Sequence, residues 1–190
     1  MFETQLINNR YEQQDAIGSG GMGSVYRAYD RLTGEMVALK RVQNDLTLTD
    51  TPNLDAIMLA DTMPETLKLY HLALTKEFRT LAGLRHPNII SVLDYGFDVT
   101  QQPYFTMELL TEPQTIFDYS EGCTFEQQVE LLLEMLQALV YLHRHQILHR
   151  DIKPENVLIQ DGRVRLLDFG LSATATTNTD HSGKAIGTLG

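Results

Sequence analysis

The chain has 190 residues, and its 25 Asp and Glu against 15 Lys and Arg give a formal net charge of −10. This length suffices for one domain with a sizeable core, or for two small lobes that share a cleft. The acidic balance excludes general nucleic-acid binding, which depends on clustered Lys and Arg, although a few local cations and backbone amides can still bind phosphate.

The cysteine content and the hydropathy indicate the compartment. Cys123 is the only cysteine, so no intramolecular disulfide can form, and a reducing environment is the natural interpretation. No N-terminal apolar run resembles a signal peptide, and no stretch of about 18 apolar residues could cross a bilayer. We therefore expect a cytoplasmic segment without membrane contact. A membrane anchor after Gly190 stays open.

The N-terminal part predicts a small antiparallel sheet after a polar lead at residues 1–10. A strand begins at Tyr11 and breaks in a glycine-rich turn, and a second strand follows from Ser24 to Asp30. A turn at residues 32–35 leads to a third strand over Met36–Lys40. The next segment, about 43–63, lacks Lys and Arg and is predicted to be an acidic insertion. It is interpreted as a solvated loop, with a partner-binding element as the alternative.

A helix is predicted from Pro64, because apolar residues recur at three- and four-residue steps until Gly83 and Pro87 end the pattern. These residues are Leu67, Tyr70, Leu74, Phe78 and Leu81. Two further strands, Ser91–Phe97 and Pro103–Glu108, complete a predicted sheet of five strands with one helix.

The second half has helical character. Thr124 and Gln127 are spaced for a capping box at the start of a long helix over residues 125–145. Its predicted core-facing residues are Phe125, Val129, Leu132, Leu133, Leu136, Leu139, Val140 and His143. After the helix, residues 157–160 and 163–167 predict a hairpin around Asp161-Gly162.

The turn after the first strand reads Gly18-Ser19-Gly20-Gly21-Met22-Gly23 and is followed by Ser24-Val25. By itself this pattern also fits a dinucleotide-binding turn or an ordinary hairpin. A dinucleotide-binding unit needs a helix after the glycines, whereas the residues from Ser24 onward continue as a strand. The context therefore favours a hairpin whose backbone N–H groups can approach phosphates without obstruction by side chains.

Two polar segments carry the strongest chemical information. The first reads His149-Arg150-Asp151-Ile152-Lys153-Pro154-Glu155-Asn156, and Asp168-Phe169-Gly170 follows, with Asp168 twelve positions after Asn156. A carboxylate that orients a hydroxyl, an ammonium that neutralises phosphate, and an amide and a carboxylate that hold Mg²⁺ suit phosphoryl transfer.

With these motifs the chain resembles a protein kinase from about Tyr11 to its last residue. Lys153, two positions after Asp151, is similar to the Ser/Thr-specific pattern, and Gly20-Gly21-Met22-Gly23 is similar to kinases of bacterial type. The resemblance implies an α+β fold. Residues 11–108 would form a five-stranded N-lobe with one helix, and residues 109–190 would form the first part of a mainly helical C-lobe, ending within the activation segment. It also implies ATP, Mg²⁺ and a protein substrate with a Ser or Thr hydroxyl.

The resemblance also assigns roles to residues. Asp151 would orient the substrate hydroxyl beside Lys153, and Asn156 and Asp168 would bind the metal. Lys40 would bridge the α- and β-phosphates and pair with Glu77; Glu65, in the first helical turn, is the less suitable alternative. The implied nucleotide-binding residues are Ile17, Gly18, Ser19, Gly20, Gly21, Met22, Gly23, Val25, Ala38, Lys40, Met107, Glu108, Leu110 and Leu158.

Within that set, Val25, Ala38 and Leu158 would enclose adenine, and the backbone of Glu108 and Leu110 would bind its edge. Met107 would be the gatekeeper. An apolar stack between the lobes would consist of Leu81, Val92, His149 and Phe169.

The sequence ends before the Ala-Pro-Glu motif and the later C-lobe helices of the family. We therefore expect apolar surface on the 125–145 helix without neighbours in this chain, and marginal stability for the 190 residues alone. Two alternatives to a protein kinase stay open: a non-catalytic, ATP-binding pseudokinase scaffold, and, less favoured, a small-molecule phosphotransferase. The substrate, activating signal and oligomeric state are not predicted.

Overall fold

The computed structural model describes residues 5–20, 23–42 and 65–167. The predicted acidic insertion at 43–63, Gly21, Met22 and the segment from Asp168 to Gly190 lie outside the described residues. The elements, in chain order, are β1 (Leu6–Ile7), β2 (Tyr11–Gly20), β3 (Gly23–Asp30), β4 (Glu35–Val42), α1 (Glu65–Ala82), β5 (Val92–Phe97), β6 (Pro103–Glu108), β7 (Gln114–Thr115), α2 (Ile116–Ser120), α3 (Phe125–Arg144), a 3₁₀ turn (Pro154–Asn156), β8 (Val157–Gln160) and β9 (Arg163–Leu166).

The first sheet is antiparallel and has the strand order β1-β2-β3-β4-β6-β5. It therefore has six strands rather than the five predicted, because part of the polar lead forms β1. Asn8 and Asn9 both adopt positive φ, 49° and 55°, which allows a tight turn back onto β2. Ile7 is buried against the outer face of the sheet, in a small core with Tyr11, Leu39 and Tyr104.

The predicted helix and the two strands after it are confirmed. α1 buries Leu74, Phe78 and Leu81; the side chains of Leu67 and Tyr70, the other two residues of the helical pattern, lie outside the described residues. The Phe78 ring lies 5.3 Å from that of Tyr95 and 5.6 Å from that of Phe105. α1 thus packs on β5 and β6, on the face opposite the small core around Ile7.

The second part contains α2, α3 and a three-stranded antiparallel sheet of order β7-β8-β9. Both halves of the predicted capping box at Thr124 and Gln127 are present. Asp161 and Gly162, with φ of 52° and 74°, form the predicted turn between β8 and β9. Within the described part of the chain, no helix combines the length and apolar character needed to span a membrane.

The prediction of which side of α3 faces the core is wrong. The buried residues are Leu131, Ala138 and Leu142. Of the predicted set, Leu139 alone is half-buried, and the other members are exposed: Phe125, Val129, Leu132, Leu133, Leu136, Val140 and His143. Both sides of α3 are apolar, so the helical period could not identify the side that packs on β9. The observation does agree with the expectation of apolar surface on this helix.

The turn between α1 and β5 joins the two parts. Ile89 forms a parallel bridge with Leu166 of β9. The backbone N–H of Ile90 donates to the carbonyl of Leu166 at 3.0 Å, and the N–H of Leu166 donates to the carbonyl of Asn88 at 2.9 Å. Residues from both sheets and from α1 and α3 consequently share one continuous core.

Candidate active site

The glycine-rich turn lies between β2 and β3, as predicted. The cross-strand pairs are Gly18 with Val25, Ser19 with Ser24, and Gly20 with Gly23. Gly23 has a φ of 127°, a conformation that side chains of other residues disfavour, so this position requires glycine. Ile17, just before the turn, is exposed. The described part of this turn therefore forms a hairpin that continues as a strand, which agrees with the interpretation against a dinucleotide-binding unit.

One face of the sheet brings together Lys40 and two of the three residues predicted to enclose adenine, Val25 and Ala38; the third, Leu158, lies in β8 of the other sheet. Val25 pairs with Lys40, Lys40 pairs with Phe105, and Ala38 pairs with Met107. Directly opposed residues, and residues two apart on a strand, project from the same face. Val25, Ala38 and Met107 accordingly belong to the shared core and its margin.

The side chain of Lys40 is nearly inaccessible to solvent. The residue is 3% exposed, and its Nζ lies 5.9 Å from the centre of the Phe105 ring. A buried ammonium is stable only where anionic or polar groups compensate its charge. Glu77 lies within α1, but its side chain is outside the described residues, so the Lys40–Glu77 pair stays a prediction.

The predicted hinge begins where β6 ends. The backbone N–H of Glu108 donates to the carbonyl of Ser91 at 3.1 Å, and its carboxylate forms an ion pair with Arg165 of β9. Leu110 and Leu158 are both half-buried. The side chain of Glu108 thus connects the hinge to the strand that precedes Asp168, while contact of its backbone with adenine stays a prediction.

The segment from His149 to Asn156 folds around the carboxylate of Asp151. Lys153 Nζ lies 2.7 Å from Asp151 Oδ2. The Nδ2 of Asn156 donates both to the backbone carbonyl of Asp151 and to its Oδ2, each at 2.8 Å. Lys153 and Asn156, which were predicted to act with Asp151, therefore both contact it directly, because a 3₁₀ turn at Pro154–Asn156 returns the chain onto Asp151.

These contacts hold Asp151 in its ionised form. The hydrogen bond from Lys153 is the main cause that lowers the pKa of the Asp151 carboxyl, with a smaller contribution from Asn156, and partial burial opposes both. The side chain of Asp151 is 26% exposed. Its carboxylate is therefore charged and accessible at neutral pH. It can accept a hydrogen bond, but it is only a weak base.

His149 connects this segment to the end of β9. Its Nε2 lies 2.8 Å from the carbonyl of Leu167, and its Nδ1 lies 3.4 Å from the backbone N of Asp151. Since a carbonyl only accepts, Nε2 carries the proton and Nδ1 is the acceptor. The N–H of Leu167 also donates to the carbonyl of Asn156 at 2.9 Å. The backbone N–H and C=O of Leu167 are thus both hydrogen-bonded to the segment that carries Asp151 and Asn156.

The predicted metal ligands are partly described. The amide nitrogen of Asn156 is committed to Asp151, which leaves its oxygen, Oδ1, as the atom that can coordinate a cation. Oxygen donors of this kind fit Mg²⁺, and Asp168 would supply the second ligand but lies outside the described residues. Among the described ranges, no three His, Cys, Asp or Glu side chains form a metal-binding cluster.

The predicted apolar stack is buried where it is described. Leu81, Val92 and His149 are each at most 4% exposed, and Phe169 lies outside the described residues.

Sequence reasoning missed two polar residues that support the site, Asn88 and Glu134. Asn88 Nδ2 donates to Glu134 Oε2 at 2.8 Å and to the carbonyl of Val164 at 3.1 Å. A signal was present: Glu134 stands between Leu133 and Met135, and one turn from Leu131 and Ala138, on the side of α3 that proves to be buried.

Comparisons with known proteins agree with this geometry. The family model described as protein kinase domain matches residues 11–190. The DNA damage-responsive serine/threonine-protein kinase RqkA of Deinococcus radiodurans is 36% identical over 190 residues, covering 96% of this chain and 25% of the relative. A probable serine/threonine-protein kinase of Streptomyces coelicolor is 30% identical over 185 residues, covering 90% and 24%. Cell division control protein 2 homolog 3 of Trypanosoma brucei brucei is 32% identical over 167 residues, covering 86% and 47%.

The chain thus spans about a quarter of the length of the two bacterial relatives, and both of these are named serine/threonine-protein kinases. The resemblance in the motifs, the α+β architecture and the family match lead to one conclusion: the chain belongs to the protein kinase family.

Proposed function

We propose that this chain is the catalytic region of a Ser/Thr protein kinase, which transfers the γ-phosphoryl group of ATP to a Ser or Thr hydroxyl of a protein in a Mg²⁺-dependent reaction. The observation that carries the proposal is the cluster of Asp151, Lys153 and Asn156. It combines an ionised acceptor for a hydroxyl with a cation for phosphate oxygens and an amide whose oxygen can bind a metal, because Lys153 and Asn156 each contact Asp151 directly.

Asp151 acts mainly by orientation in this proposal. Its lowered pKa makes it a weak base, so it accepts a hydrogen bond from the substrate hydroxyl and takes the proton late in the transfer. Lys153, whose side chain is 47% exposed, moves its ammonium in this proposal from Asp151 Oδ2 toward the transferred phosphoryl group as charge accumulates there.

The nucleotide lies against the face of the sheet that presents Val25, Ala38 and Lys40. Ala38, which is 4% exposed, has the small side chain that a flat base between Val25 and Leu158 would require. Lys40 pairs with the α- and β-phosphates, and the backbone amides of the glycine-rich turn approach the same phosphates.

Asn156 and Asp168 hold the metal in this proposal. When bound, Mg²⁺ would supply positive charge that neutralises the triphosphate. The contribution of the chain is to keep the Oδ1 of Asn156 oriented, which its two hydrogen bonds to Asp151 achieve.

The test is transfer of label from ATP to protein in the presence of Mg²⁺, measured for the full-length protein. Lys40→Met and Asp168→Ala should each lower the rate by roughly 10²–10⁴-fold, because each removes charge stabilisation that is strongest in the transition state. Lys76→Met, which changes an exposed lysine on α1, is the matched control and should leave the rate unchanged. Label transfer that persists in both site variants would refute the proposal, and ATP binding without any transfer would favour the pseudokinase alternative.

A further inference from the structure

Glu134 binds two different segments with one carboxylate oxygen. Its Oε2 accepts from Asn88 Nδ2 at 2.8 Å and from the backbone N–H of Val164 at 2.8 Å. Asn88 lies in the turn between α1 and β5, Glu134 lies in the middle of α3, and Val164 lies in β9. A single side chain therefore fixes three separate elements relative to one another.

This contact has buried donors on a half-buried carboxylate and is charge-assisted. Asn88 is 4% exposed and Val164 is fully buried, so neither donor can replace Glu134 by water without rearrangement. Hydrogen bonds to an ionised carboxylate are stronger than those to a neutral acceptor. The same Asn88 side chain also donates to the carbonyl of Val164 at 3.1 Å. Asn88 and Glu134 together thus bind both backbone polar groups of Val164.

The direction of β9 decides what the contact can affect. From Val164 the strand continues to Leu166, whose N–H is bound by the carbonyl of Asn88, and then to Leu167, which is bound by Asn156 and His149. Asp168 is the next residue in the sequence. The position of β9 along its own axis consequently sets where Leu167 meets Asn156 and His149.

We infer that Glu134 and Asn88 are positioning residues for metal-dependent nucleotide binding: they hold β9 in the register in which Leu167 binds the backbone of Asn156, the proposed metal ligand. This inference rests on the proposed function and assigns to the pair a role in that site. Neither residue is a metal ligand. Their effect reaches the metal through the backbone of β9, in the way that outer-shell partners orient ligands in metal sites.

The experiment measures the affinity of the full-length protein for ATP by calorimetry with and without Mg²⁺. The affinity with Mg²⁺ divided by the affinity without it is the Mg²⁺ ratio. Glu134→Ala should lower this ratio by about tenfold, which is the lower end of the effect of outer-shell partners on metal affinity. The affinity without Mg²⁺ should change little, because Lys40 and the glycine-rich turn are untouched. Glu134→Gln retains an acceptor oxygen and should restore most of the ratio.

Glu130→Ala is the matched control, since Glu130 lies one turn earlier on α3 and is exposed. An equal ratio in Glu134→Ala and the unsubstituted protein would overturn the inference. So would an equal loss of affinity with and without Mg²⁺, which would indicate general structural damage.

Glu134→Ala is not used if it lacks a cooperative unfolding transition, because it is then not properly folded. In that case a second pair of variants tests the inference. Asn88→Asp places a second carboxylate against Glu134 and should lower the Mg²⁺ ratio. Adding Glu134→Gln to Asn88→Asp restores one donor and one acceptor at the contact and should recover the ratio in part. A double variant no better than Asn88→Asp would overturn the inference. If the unsubstituted protein binds ATP with the same affinity with and without Mg²⁺, the proposed function fails, and the inference fails with it.

Discussion

Replacing Asp30 by Asn tests whether one ion pair stabilises the N-terminal hairpin against the sheet. Arg10 Nε donates to Asp30 Oδ1 at 2.8 Å, and a terminal nitrogen of Arg10 donates to Oδ2 at 2.7 Å. A further Arg10 nitrogen bonds to Asp94 at 2.7 Å. The side chain of Asp30 is 4% exposed and that of Arg10 is 29% exposed, so the pair is partly shielded from solvent.

The expected magnitude follows from the pKa of Asp30. The hydrogen bonds from Arg10 are the main cause that lowers this pKa to about 2, from an ordinary value of 3.8. Because the folded-state pKa is lowered, the stabilisation is fully present above about pH 4 and is lost as the pH falls through about 2. The shift corresponds to about 2 kcal/mol at neutral pH, which solvent screening at Arg10 reduces to about 1–2 kcal/mol.

The assay is urea unfolding of the unsubstituted protein and of Asp30→Asn at pH 7 and at pH 3. The variant should be less stable by about 1–2 kcal/mol at pH 7, and the difference should fall to about half of that at pH 3. Asp15→Asn is the control, because the Asp15–Arg27 pair is exposed and 3.9 Å long, and it should change stability by less than about 0.5 kcal/mol. A difference that is the same at both pH values would refute this reasoning.

Three other substitutions test two packing contacts and one helix cap. Phe78→Ala should cost about 3–5 kcal/mol in urea unfolding, because the Phe78 side chain is fully buried between α1 and the sheet; a loss below about 1 kcal/mol would contradict that packing. Gly96→Ala should cost about 1–3 kcal/mol, because a Cβ there would lie 2.8 Å from the hydroxyl oxygen of buried Tyr104. Gly122→Ala, where a Cβ would meet nothing within 4 Å, is its control and should be tolerated in thermal unfolding. Thr124→Ala removes the N-cap of α3 and should lower the unfolding free energy by about 1 kcal/mol, whereas Thr124→Ser should be neutral.

Local features of the fold were predictable because short-range interactions determine them. The capping box joins Thr124 to a residue three positions later, and the turn at Asp161-Gly162 depends on residues that tolerate positive φ. The cluster of Asp151, Lys153 and Asn156 spans six positions, so the sequence already placed its chemistry within reach of a single turn. The polar lead was less informative, because β1 has only two residues and forms by pairing with β2.

Contacts between distant segments were not predictable in the same way. The apolar period of α3 is present on more than one side, so the helix alone did not show that Leu131, Ala138 and Leu142 would be buried. In the sequence, Glu134 is one of several charged residues on a helix. Its contacts with Asn88 and with Val164 of β9 are visible only in the tertiary structure. Local spacing thus determined the motifs and their chemistry. Tertiary packing alone decided which helix face is buried and which polar residues hold β9, because these contacts join distant segments: Asn88 binds Glu134 46 positions away and Val164 76 positions away.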